Sequence, residues 1–119
     1  MDSDALAERL LGFAVDIIKI SSNIPNTYTA QHIYQQLIES ASSCGAEFEE
    51  NLVNKPETGS GQKLQSVLKE MRKTNYWLKL LRQSGLVESN KIEPLIQESC
   101  ELIKIISKSV KSAKSERIR

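Results

Sequence analysis

Apolar residues recur along this chain in steps of four and three, and four stretches carry that rhythm. In the first, Leu6, Leu10, Phe13, Ile17, Ile20 and Ile24 mark one side of a helix. Ala7, Leu11, Ala14 and Ile18 widen that side into a stripe broad enough to face a bundle core. Ser3 or Asp4 is placed to cap its start. Asn23-Ile24-Pro25-Asn26 ends it, because proline disfavours helical geometry at the residue before it. Thr27 or Thr29 opens the second helix, which runs through Tyr34, Ile38, Ala41, Gly45, Phe48 and Leu52. The third places Leu64, Leu68, Met71, Leu78 and Leu81 on one side, flanked by Val67, Trp77 and Leu80. Gly85 follows as a C-cap, with Leu86-Val87 folding back beyond it. The fourth opens near Ser89 or Asn90 and continues through Ile92, Ile96, Ser99, Ile103, Ile106 and Val110, broadened by Leu95 and Leu102. Pro94 is expected in its first turn, where a missing amide costs little.

No stretch sustains the period-two alternation of a half-buried strand. Asn54-Lys55-Pro56-Glu57-Thr58-Gly59-Ser60-Gly61 reads as a flexible loop between the second and third helices. Helices of roughly 17–25 residues with short connections predict an all-α, up-down-up-down antiparallel four-helix bundle. The expected domain is 1–112, followed by a basic, apolar-poor tail at 113–119 that frays. A helix-turn-helix DNA reader has shorter helices and a polar start to its recognition helix, neither of which this chain offers.

A chain of 119 residues supports one core, and its 39% apolar and 26% charged content fits a soluble domain. The longest apolar runs are far short of the ~20 residues that cross a bilayer, so no membrane partner is expected. The start, MDSDALAERL, is acidic where a signal peptide is basic, which points to the cytoplasm. Net charge is only +1, yet residues 1–60 carry three Lys/Arg against nine carboxylates and residues 61–119 carry thirteen against six. Such a split suits either a charged partner or acidic helices packed beside basic ones.

The segment Ser40-Ala41-Ser42-Ser43-Cys44-Gly45-Ala46 lies in the middle of the second helical seam. The one histidine, His32, is twelve residues away, roughly 18 Å of helix, so a nucleophile loop around Cys44 has no base. A glycine inside a helix costs about 1 kcal/mol relative to alanine. Ala41 and Gly45, one turn apart, make that cost tolerable if they form a notch into which another backbone packs. Cys44 and Cys100 have no zinc spacing and are expected as buried free thiols. The carboxylates Glu47, Glu49, Glu50 and Glu70 lack the Glu-x-x-His pairs of a two-metal bundle, and GSGQK lacks the strand that precedes a phosphate loop. The residues therefore predict no enzyme, cofactor, metal or small-molecule substrate.

Three segments together resemble a bacterial family: Ile24-Pro25-Asn26-Thr27, SASSCGAEFEEN, and LKEMRKTNYWLKLL on the third helix. The last is similar to a K-E-x-x-E-x-x-Y-W-L-x-L-L pattern. The family comprises the four-helix-bundle proteins of intervening sequences within large-subunit ribosomal RNA genes, together with the accessory variability determinant of diversity-generating retroelements. The likeness spans about residues 5–108. Glu47 stands where the family often has asparagine, whereas Glu50 matches the acid that follows. The resemblance implies a scaffold or adaptor that assembles as a homopentameric ring without catalysis. Its retroelement branch implies a partner reverse transcriptase and binding to RNA or DNA.

Two surfaces follow as candidates. Glu47, Glu50 and Glu70 are placed to pair with Arg72 or Lys73, within or between subunits. Tyr76 and Trp77 point about 100° apart on a helix, so one of them belongs at the core edge or in a subunit interface. The second surface is a basic line, Lys104, Lys108 and Lys111, with Lys114, Arg117 and Arg119 beyond. It is read either as a solvated face or as a nucleic-acid contact multiplied round a ring.

Overall fold

The computed structural model describes the backbone of residues 2–54 and 60–118, and the side chains of 2–52 and 63–112. Four helices run in succession: α1 at Ser3–Lys19, α2 at Tyr28–Asn54, α3 at Ser60–Gln83 and α4 at Ser89–Ile118. They form an antiparallel four-helix bundle 50 × 22 × 22 Å, with no strand among the described residues. Each helix packs along the next in sequence; α1 also touches α4, over a shorter length.

Local chemistry sets the ends. Asp2, rather than Ser3 or Asp4, caps α1: its carboxylate accepts the Ala5 amide at 2.7 Å. The α-helix stops at Lys19, and a 3-10 turn, Ile20–Asn23, carries the chain to Pro25. That tightening leaves Ile20 half-buried and swings Ile24 into the core. The Thr27 hydroxyl accepts the Ala30 amide at 3.3 Å at the start of α2. Gly85 closes α3 with φ +75°, its amide bonding to the Arg82 carbonyl, and Val87 returns to the core. Ser60 and Gly61 belong to α3 rather than to the preceding loop, while residues 55–59 lie outside those described. Pro94 is the sixth residue of α4, in its second turn, where the ring removes the amide that would bond Asn90. The helical backbone of α4 runs on through most of the expected tail, whose side chains at 113–119 lie outside those described.

The core follows the four-three rhythm with shifts of one residue. On α2 the line of closest burial is Ala30, Tyr34, Leu37, Ala41, Cys44 and Phe48. Leu37 and Cys44 replace the expected Ile38 and Gly45 because α2 lies between α1 and α3 and buries two adjoining lines. On α3, Val67, Met71, Thr74, Leu78 and Leu81 are buried, with Leu64 and Leu68 at the margin. Among the described residues every buried polar side-chain atom has a hydrogen-bond partner. Thr74 donates to Ser40 at 2.9 Å, Asn75 donates to Ser99 at 2.7 Å, and the Tyr34 hydroxyl donates to the Ile17 carbonyl at 2.8 Å. Across the helices, Arg9 holds Glu98 through two bonds of 2.6 and 2.8 Å, and Arg82 holds Glu93 at 2.8 Å.

Candidate assembly surface

Helix α1 buries Leu6, Leu10, Phe13 and Ile17 but leaves part of its apolar stripe bare. Leu11 and Ile18, expected to widen the core, are each 57% exposed, and Val15 is 40% exposed. The reason is coverage. One side of α1 rests on α2, contact with α4 is short, and no described helix packs over the third side. Together with Ala7, Ala14, Ser42, Gly45, Ala46 and Glu49, these side chains bound an open groove of about 410 Å³ between α1 and α2.

Gly45 and Ala41 sit where the two helices meet. A methyl built on Gly45 would lie 3.7 Å from Leu10 Cβ, an ordinary contact distance, so glycine leaves roughly one methyl group of space there. Ala41 is buried, and Gly45 is half-buried on the groove floor. Between them, Cys44 donates to the Val67 carbonyl at 3.4 Å on the α3 side. Burial, then the nearby charges of Glu47 and Glu70, pushes the Cys44 thiol up to about 12, which makes it inert at neutral pH. Cys100 is half-buried, not buried as expected, because it sits at the helix margin beside Asn75 rather than on the central line.

The remaining candidates fall on other faces. Glu70 pairs with Lys73 at 3.1 Å, while Glu47 accepts a hydrogen bond from Ser66 at 3.0 Å. Glu50 is exposed beside a polar depression shared with Glu47, Asn51 and Lys63. Tyr76 is 58% exposed, and Trp77 packs half-buried against the core, their rings edge to face at 5.1 Å. Arg72 is exposed close by. Around Tyr76 the structure adds Lys69 and Lys79, which give α3 an exposed line Lys69, Arg72, Tyr76, Lys79. Their three-four-three spacing was the available signal in the sequence. On α4, Lys104, Lys108 and Lys111 are all exposed, Lys104 within 3.4 Å of Glu101. The side chains of Lys114 and Arg117, and the whole of Arg119, lie outside the described residues.

Among the described residues, no three His, Cys, Asp or Glu side chains gather closely enough to hold a metal, and no helix is long and apolar enough to cross a membrane. What the geometry presents is an all-α bundle whose distinctive features are surfaces rather than an enclosed pocket. Residues 6–108 match the family model described as 23S rRNA-intervening sequence protein, and the chain belongs to that family. It is also similar to a crystal structure of a protein with unknown function from the S23 ribosomal protein family of Bacteroides thetaiotaomicron. The TM-score is 0.82 at 26% identity, covering 93% of this chain and 99% of that one. No curated protein sequence matches.

Proposed function

We propose that this protein is a non-enzymatic scaffold or adaptor of the bacterial cytoplasm that works as a self-assembled ring, a homopentamer as the resemblance implies. The supporting observation is the bare apolar strip of Leu11, Val15 and Ile18 along α1. A small monomer gains nothing by leaving three large aliphatic side chains in line and in water, whereas an assembling subunit covers them. The separation of charge between the first and second pairs of helices supports the same reading. Opposite charges on different faces allow a head-to-tail contact, and such contacts close into rings when the rotation permits. Light scattering at micromolar concentration and moderate salt tests this: a mass several times 13.4 kDa supports the ring, and a monomer rules it out.

A second reading, a nucleic-acid-binding accessory factor that partners a reverse transcriptase, is favoured by the exposure of Lys104, Lys108 and Lys111 on α4. It requires retardation of RNA or DNA of any sequence, weakening steeply with salt as counterions are released. Binding of that kind, abolished when these lysines are replaced by glutamine, would put the accessory role first.

A further inference from the structure

The groove between α1 and α2 carries a charge pattern as well as an apolar lining. On α1, Asp4 and Glu8 continue the exposed line of Leu11 and Val15 towards the N-terminus. On α2, Glu49 lines the groove beside Ala46, whereas Glu39 faces the α3 side with Lys73 and Trp77. Helix α2 has four glutamates and no lysine or arginine from Tyr28 to Asn54. The groove is therefore apolar at its centre, small-residued on its floor at Gly45 and Ala46, and acidic at the end bounded by Asp4, Glu8 and Glu49, with Lys19 exposed at the opposite end.

Helix α3 carries the opposite pattern. It has six Lys/Arg against one glutamate, and that glutamate, Glu70, is taken by Lys73. Its exposed line places one aromatic ring, Tyr76, between Arg72 and Lys79. This is an amphipathic knob between cations, the complement of a small-floored groove with an acidic end. Within one chain the two surfaces lie apart, because α3 packs along α2 and α4 and makes no substantial contact with α1.

Building on the self-assembly reading, we infer that the α1/α2 groove receives the α3 face of a second copy of this chain. Tyr76 enters opposite Gly45 and Ala46, against Leu11, Val15 and Ile18, while Arg72 and Lys79 meet the acidic end. Each subunit offers one groove and one knob, so the contact is heterologous and every subunit both gives and receives. Apolar burial supplies the affinity. The charges set the partner's orientation and disfavour groove-to-groove or α3-to-α3 pairing, where like charges would face each other.

The test uses two single-surface variants of the full chain: Ile18→Glu in the groove and Tyr76→Glu on α3. Both positions are exposed, so the bundle should stay folded, and circular dichroism checks this. Wild type is expected to assemble and each variant alone to fall to 13.4 kDa in light scattering. An equimolar mixture of the two is expected to form a one-to-one dimer and stop there, because the intact groove of one variant accepts the intact α3 face of the other. If wild type assembles and either folded variant keeps the same mass, this interface is wrong while the scaffold reading stands. If both variants dissociate but their mixture stays monomeric, α3 does not seat in the groove. A monomeric wild type removes the scaffold reading and the interface together.

Discussion

Replacing Gly45 tests how closely α1 approaches α2, and the structure predicts opposite signs for two substitutions. Alanine removes the conformational penalty of a glycine inside a helix, about 1 kcal/mol. Its methyl would stand 3.7 Å from Leu10 Cβ and 3.9 Å from the Leu10 carbonyl carbon and oxygen, which is contact without compression. Gly45→Ala should therefore stabilise by about 1 kcal/mol, raising the melting midpoint by about 4 °C for a domain of this size. Leucine sends three further carbons past that methyl. One direction meets Leu10 and the α1 backbone, and the other projects into the groove and water. Gly45→Leu should cost ~1–3 kcal/mol through overpacking, lowering the midpoint by several degrees. Thermal unfolding followed by circular dichroism, at one protein concentration because association shifts a midpoint, reads both. A lower midpoint for alanine would mean the helices sit closer than 3.7 Å allows. An unchanged midpoint for leucine would mean that its side chain turns into the groove and does not press on α1.

With its pKa at about 12, the Cys44 thiol keeps its proton while the same thiol in the unfolded chain ionises near 9.0. Below that lower value it adds no pH dependence. As pH climbs from about 9 towards about 12, stability should fall by about 1.4 kcal/mol per pH unit more in wild type than in Cys44→Ala, measured by urea unfolding. Equal slopes would refute the burial. A thiol reagent at pH 8 should modify Cys100 well before Cys44, and mass spectrometry of peptides decides the order. Tyr34→Phe loses the hydroxyl bond to the Ile17 carbonyl and should cost roughly 0.5–1.5 kcal/mol in chemical denaturation; no change would mean that this bond contributes nothing. Changing Lys104, Lys108 and Lys111 to glutamine should leave the assembled mass unchanged, because none of the three lies on the inferred interface. A loss of mass would place α4 in the interface.

The four helices are legible in the sequence because their signals are local: a four-three rhythm within each stretch, and Pro25, Thr27 and Gly85 at the breaks. Which side of a helix stays bare is not local. Ile17 and Ile18 are neighbours of one residue type, yet one is buried and the other is 57% exposed, because coverage depends on where α2 and α4 lie. The same cause shifted the α2 seam from Ile38 and Gly45 to Leu37 and Cys44, since a helix between two neighbours presents two apolar lines one residue apart. Thr74 and Asn75 carry no local signal of burial, and only the fold brings Ser40 and Ser99 to them from 34 and 24 residues away. Of the surface features, Arg72 and Lys73 stood out as partners for nearby glutamates, whereas adjacency alone left open which of Tyr76 and Trp77 faces the core. The groove was not recognisable, because residues of two helices form it.

Native mass spectrometry counts the subunits of the assembly directly. At micromolar concentration and near-physiological ionic strength, one dominant species at five times 13.4 kDa is expected, with little monomer. A spectrum showing only the 13.4 kDa chain, from protein that circular dichroism confirms as folded, would contradict self-assembly.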